Sequence, residues 1–248
     1  HSIARRQRQM CIRDSPYKAP TTPFTFKNGK FYQGIHISLK DRVPILSIGS
    51  NRSPYQLKNK FGVKENLCVT PAKLYNSVIV YAASMSAYGS IPATQWPCEG
   101  SVSDLNLLWL NQDQLQIMHL SEGLGIAYHY VELDKNTVAI QDDDYSGSIF
   151  GYISTRGGYL FDGNEPFRLK NIKSNTNTHS SINEYQALNK LFLENPDGQT
   201  SLETWLKNFI SNKSKRLSLI DKMSKKSFLP KHVPWKILDL KVSGNNIY

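Results

Sequence analysis

Short apolar runs broken by turn residues fill the chain from residue 43 to residue 154, and helical periodicity takes over after about residue 165. That order constrains the fold more than any single motif. The runs are VPILSI (43–48), SVIVYAA (77–83), PATQWP (92–97), LNLLWL (105–110), AYHYVELD (127–134), TVAIQDD (137–143) and GSIFGYIS (147–154). Each is strand-sized, and most are rich in β-branched or aromatic residues. Two helical segments interrupt them. SPYQLKNKF (53–61) offers Ser53 as N-cap and Pro54 at the first helical position. NQDQLQIMHLSEG (111–123) offers Asn111 as cap, Gln114 three residues on to complete a capping box, and Gly123 as a stop. Ahead of the first run, FKNGKFY places Asn28-Gly29 between aromatic residues, the strongest hairpin signal in the chain. With Pro20 and Pro23 nearby, residues 16–40 read as an extended arm or hairpin on the main body.

After residue 165 a polar loop (171–181) leads to a helix over 181–195, opened by a Ser181-x-x-Glu184 box. PDGQT supplies a turn, and a second helix follows over 201–212. Strands followed by helices make an α+β protein. The expectation is a small, mostly antiparallel, barrel-like sheet with a short central helix, plus a helical C-terminal extension. Residues 16–165 would form the main domain and 166–248 the basic extension.

Hydrophobic residues make up 40% of the 248, enough for a core without staples. No apolar run reaches the roughly 18 residues of a membrane-spanning helix. The N-terminal stretch has no apolar signal region. Cys11, Cys68 and Cys98 form no CxxC pair and no zinc-site spacing with His. So sparse a set suits a reducing, cytoplasmic setting, with the main-body thiols buried and inert. No metal or cofactor is called for. Asp142, Asp143 and Asp144 lack the glycine and closing Glu of a calcium loop and read as a solvated turn.

The net charge is +10, but the first fifteen residues, HSIARRQRQMCIRDS, hold +3 of it. This opening lacks Met and is similar to adapter sequence translated in assembled environmental reads. Residues 1–15 are therefore expected to be a non-native tail and are set aside from the fold. Much of the remaining excess lies at Lys213, Lys215, Arg216, Lys222, Lys225 and Lys226, interleaved with Leu217, Leu219, Ile220 and Met223. That stretch reads as a solvated helix face, or as a contact for an acidic partner, RNA or a membrane surface.

Glu122 is the candidate for chemistry. It ends a helix and is followed by Gly123 and Gly125, which leave little steric cover. A helix C-terminus disfavours a negative charge, a setting that suits a general acid or base. From spacing alone, a solvated helix-end carboxylate fits as well. His119 lies on the apolar face of the same helix and reads as a packing residue. Tyr128 opens a strand, and Trp96 reads as core or pocket wall.

Four segments occur in an order and spacing that resemble the gamma-glutamylcyclotransferase family. SIGSN (47–51) is similar to its loop after the first strand. YGSIPATQWPCEGS (88–101) is similar to its Ala-Thr segment. LNLLWLNQDQLQIMHLSEG is similar to its strand, helix and Glu-Gly ending, and AYHYVEL to its Tyr-opened strand. The resemblance spans about residues 45–134. It implies a cofactor-independent enzyme that cyclises a γ-glutamyl amide or amine to 5-oxoproline. It implies Glu122 as general acid/base, with Ile48, Gly49, Ser50, Asn51 and Tyr128 around a small-molecule γ-glutamyl substrate. The family's loop-opening Tyr is Ile48 here, and His119 stands where an Asp is common. The alternative is a non-catalytic binding module of the same fold that docks on an acidic partner or RNA through residues 213–226. Nucleic-acid binding by that cluster alone is a third reading.

Overall fold

The computed structural model describes residues 20–140 and 145–238. The 1–15 tail, Cys11 and Asp142 to Asp144 fall outside the described residues. Asn28 and Gly29 take positive φ, 52° and 74°, as a two-residue type I′ turn requires. Strand β1 (Phe24–Lys27) therefore folds back on β2 (Lys30–Gln33), with Phe26 opposite Phe31. Through Phe24 to Phe26 the hairpin then joins β4 (Leu67–Tyr81).

β4 and β5 (Ala93–Leu110) are the longest elements and form one antiparallel ladder from Cys68↔Trp109 to Tyr81↔Ala93. Residues 92–97 and 105–110, separate runs in the sequence, thus lie at the two ends of one strand. Backbone pairing carries the strand through its polar middle. There the Ser101 and Ser103 hydroxyls are buried and donate to Cys98 O and Ser77 O. A bulge interrupts the ladder at Asn76, which sits at φ 53°. β3 (Val43–Ser47) lies antiparallel to β5 and touches β8 (Phe150–Ser154) in parallel. β6 (Tyr128–Leu133) pairs with β8, and β7 (Val138–Ile140) with β4.

The remaining strands are two or three residues long: β9 (Gly158–Tyr159), β10 (Arg168–Leu169), β11 (Ser181–Ile182), β12 (Ser227–Phe228) and β13 (Trp235–Ile237). The main path runs β11-β10-β4-β5-β3-β8-β6-β13, with β1, β2 and β7 as branches, eleven strands in all. β9 and β12 form a separate pair. The sheet is larger than the sequence pattern implies, and it is not closed into a barrel. Residues after 165 supply three of its strands as well as helices.

Five helices complete the α+β architecture among the described residues: α1 (Pro54–Phe61), α2 (Gln112–Ser121), α3 (Glu184–Glu194), α4 (Leu202–Ser211) and α5 (Lys213–Ser224). Ser53 occupies the N-cap of α1, but its side chain makes no capping bond. Asn111 and Gln114 form the expected reciprocal box on α2. The expected Ser181–Glu184 box does not form. Ser181 belongs to β11, Asn183 and Gln186 make the box, and Glu184 becomes the first residue of α3. Apolar faces of α3 to α5, including Leu188, Trp205, Phe209 and Met223, join Tyr81 and Trp109 in one core cluster. Leu57 and Phe61 of α1 pack with Leu115 and Met118 of α2 in a second. On α5 the lysines point outward while Leu219, Ile220 and Met223 are buried. Lys215 is paired with Asp197, and Lys226 beyond the helix with Glu194. No helix of the described residues is long and apolar enough to cross a membrane.

Candidate active site

Five strand termini meet at one place: the ends of β3, β4 and β8 and the starts of β5 and β6. A cavity of about 600 Å³ opens there. Ile48, Gly49, Ser50, Asn51, Glu122 and Tyr128 all line it. Sequence neighbours would not meet this way. The junction exists because β3, β5, β8 and β6 are adjacent in the sheet.

One wall is the loop after β3. Gly49 precedes a single 3₁₀ turn, Ser50–Arg52. Its φ of −132° does not require glycine, and a Cβ there would meet Ala93 Cβ at an ordinary 3.8 Å. Having no side chain, it leaves the backbone bare towards the cavity. The first N–H groups of such a turn have no intrahelical acceptor, and no side chain caps this one. Arg52 holds the turn from behind: its Nε donates to Asn106 Oδ1 at 2.9 Å. Burial pulls the guanidinium down to about 10, against the opposing pull of Asp104. Asn106, an odd residue for a core strand, is buried and also donates to Pro20 O.

Glu122 caps the C-terminus of α2, and Gly123 beyond it takes φ 61°. Both of its polar contacts fall on one oxygen. Asn51 Nδ2 donates to Glu122 Oε1 at 2.9 Å, and the Lys60 ammonium forms an ion pair with the same atom. The two charged side chains are 9% (Lys60) and 15% (Glu122) exposed. Oε2 has no hydrogen-bond or ion-pair partner among the described residues. Packing of α1 on α2 brings Lys60 here, and sequence reasoning missed it. The available signal was helical spacing: Lys60 follows buried Leu57 by three residues and precedes buried Phe61 by one. Tyr128 donates its hydroxyl to Ala93 O at 3.1 Å. Burial, with Glu122 adding to it, pushes that phenol well above its usual range.

His119 serves packing. Its Nδ1 lies 2.7 Å from the Tyr152 hydroxyl, its ring sits edge-on to Tyr130, and burial lowers its pKa. Trp96 packs beside Val78, Val80 and Cys98. Cys68 and Cys98 are free and buried, and burial raises the Cys68 thiol to about 11. Among the described residues no three His, Cys, Asp or Glu side chains gather to hold a metal.

Residues 84–88 and 90–93, together with Glu184, also line the cavity. Gly89, at φ 90°, lies so close to α4 that a Cβ would meet Ile210 Cδ1 at 2.9 Å. The Ser86 and Ser90 hydroxyls, 3.0 Å apart, face the Tyr88 phenol. Glu184 Oε1 accepts the Ile91 N–H at 2.7 Å. Burial raises this carboxyl to about 8, against the opposing effect of that bond. Nothing in the linear pattern places Glu184 here, since it read as half of a helix cap.

No protein-family model matches the chain, and no curated protein does. Solved structures do. A gamma-glutamyl cyclotransferase matches at 17% identity over 46% of this chain and 67% of its own, with a TM-score of 0.37. An uncharacterized protein from Homo sapiens matches at 17% identity, 47% and 68% coverage, and a TM-score of 0.39. A protein from Arabidopsis thaliana known by solution structure matches at 15%, 46% and 70%, with 0.36.

Proposed function

We propose that the chain is a gamma-glutamylcyclotransferase-like enzyme that closes the glutamyl part of a γ-glutamyl amide to 5-oxoproline and releases the amine. The observation that carries this reading is the meeting of the 49–51 turn, Glu122 and Tyr128 in one cavity. Glu122 Oε2, the oxygen without a contact, takes a proton from the substrate's α-ammonium. The freed amine attacks its own γ-carbonyl, and the new N–C bond closes a five-membered lactam. The C–N bond to the leaving group then breaks as Glu122 returns the proton to the departing amine, and the ring nitrogen's second proton passes to the released amine, which leaves as an ammonium. The attack is intramolecular, so much of the acceleration comes from holding the substrate folded. In this reading the backbone N–H groups of Gly49 to Asn51 hold the substrate's charged or developing oxygens. Lys60 and Asn51 fix the carboxylate through Oε1 and leave Oε2 for the proton. The buried free thiols Cys68 and Cys98 suit the reducing, cytoplasmic setting this reading assumes.

A second reading is favoured by the ion pair itself. A carboxylate already matched by Lys60 also suits a pocket that binds without turning over, in a module that docks through the outward cations of residues 213–226. Release of 5-oxoproline from a panel of γ-glutamyl amides separates the two. The enzyme reading expects turnover that falls by about 10²–10⁴ in Glu122→Gln. Equal rates in the two proteins would end the assignment of Glu122. A ligand-dependent rise in melting temperature without turnover would favour the binding module.

A further inference from the structure

Away from the cavity, the chain between the end of α5 and β13 presents a surface of one character. Residues 222–237 hold five lysines and no Asp or Glu, with Asp221 just before them. In their midst Phe228 and Leu229 are 47% and 56% exposed. A single apolar side chain at a surface needs no explanation, but two consecutive ones among lysines do. The backbone under them is fixed. Phe228 pairs with Gly158 across the β12–β9 ladder, and the Leu160 N–H donates to Lys226 O at 2.8 Å. Gly157 lies against the Phe228 carbonyl, where only a residue without a Cβ fits. The Phe228 ring leans on Trp96, with centroids 5.8 Å apart and planes at 56°. Trp96 in turn lies so close to Gly158 that a Cβ there would meet its ring at 2.8 Å. The apolar pair is therefore built on packed structure and still left half in water.

Cations flank the pair on both sides along the chain. Lys222 lies in the last turn of α5, Lys225 follows that helix directly, and Lys231 is two residues past Leu229. All three are exposed, and none makes an ion pair among the described residues. At roughly 3.5 Å of chain per residue, Lys225 and Lys231 lie within about 11 Å of the pair, close to the screening length in physiological salt. Carboxylates in this region are already matched. Glu194 accepts from Lys226 and from the Tyr159 hydroxyl, and Glu165 faces His179, which packs edge-on to Trp96. An apolar pair set among unmatched ammonium groups complements an anionic bilayer surface. There Phe and Leu enter the boundary between headgroups and acyl chains while lysines reach the headgroup charges. Nucleic acid is a poorer match. Residues 222–237 contain no arginine, so no planar fork grips a phosphate or base edge, and Leu229 offers no face for a base to stack on.

We propose that Phe228 and Leu229, with Lys222, Lys225 and Lys231 around them, seat this chain on an anionic phospholipid surface. The attachment is peripheral, since the apolar part is two side chains and no helix of the described residues crosses a bilayer. Two side chains alone hold a protein weakly, so binding needs the lysines and the apolar pair together and is reversible. None of these residues lines the cavity, so the inference is independent of the cyclotransferase reading.

The test mixes the full chain with vesicles of phosphatidylcholine alone and with vesicles about a third of whose lipid is phosphatidylserine, and reads bound protein by sedimentation. The wild-type chain is expected to bind the mixed vesicles at least roughly tenfold more tightly, and less tightly as salt is raised. Phe228→Ser with Leu229→Ser leaves the net charge unchanged and is expected to weaken binding roughly tenfold or more. Lys225→Gln with Lys231→Gln is expected to weaken it by a similar factor. Leu229→Ser alone touches the more exposed of the two apolar residues, and its expected loss of roughly three- to tenfold keeps the test decisive if the double serine variant does not fold. A uridine oligonucleotide is titrated in parallel. Equal binding to both kinds of vesicle, or binding to neither, overturns the inference. So does full binding by Leu229→Ser, which would mean that charge alone attracts the chain. Tighter binding of the oligonucleotide than of the vesicles, with the same dependence on Leu229, overturns it in favour of nucleic acid.

Discussion

Two carboxyls face one cavity, and their partners set them apart. Glu122 is tied on one oxygen to Lys60 and Asn51, which fixes its orientation, while its other oxygen has no hydrogen-bond partner among the described residues. The pair is largely withdrawn from water, so removing one partner leaves an uncompensated charge. Lys60→Met is expected to lower unfolding free energy by about 2–3 kcal/mol, read from urea midpoints. Adding Glu122→Gln to that variant should restore more than half of the loss, and a double variant no more stable than Lys60→Met would show that the pair is not coupled. Glu184 carries the opposite signature. Its folded pKa is about 8 against an ordinary 4.5, so between those values the folded chain holds a proton that the unfolded chain has lost. Stability therefore declines as pH rises through that window and levels off above it. Glu184→Gln removes the decline. Relative to wild type, the variant should gain on the order of 2–4 kcal/mol between pH 5 and pH 8, measured by denaturant midpoints. Identical pH profiles for the two chains would show that another group titrates.

Among elements, those with a local code were legible in the sequence. The Asn28-Gly29 turn and the Asn111/Gln114 box each specify their element within a few residues, and each stands where expected. Elements made by long-range pairing were not. Residues 67–76 contain Pro71 and Asn76, which argue against a strand, yet β4 runs through both because β5 lies alongside. The strands β9 to β13 are too short to leave a periodic trace. The same divide runs through the site. The 48–51 loop, Glu122 and Tyr128 sit in recognisable motifs, whereas Lys60 and Glu184 reach the cavity only through packing. Asn106 shows how an apparent anomaly can be read. This polar residue in a core strand is the acceptor that fixes Arg52 behind the 50–52 turn.

At the scale of the whole molecule, the part after residue 165 shares the core with the part before it. Leu188 and Trp205 are fully buried in the same cluster as Tyr81 and Trp109. Gly157 is pressed so tightly on the Phe228 backbone that a Cβ there would lie 2.1 Å from its carbonyl oxygen. A chain cut after residue 165 is therefore expected to show no cooperative thermal transition by calorimetry, and a sharp transition in it would mean that the first part folds alone. The bond from Ile91 to Glu184 spans 93 residues of sequence, while the one from Asn51 to Glu122 spans 71 and closes far earlier in the chain. On a ribosome adding roughly 5–20 residues per second, the growing chain passes several seconds with Asn51 and Glu122 already synthesised and Glu184 not. Whatever the finished pocket selects, the nascent chain cannot yet select it.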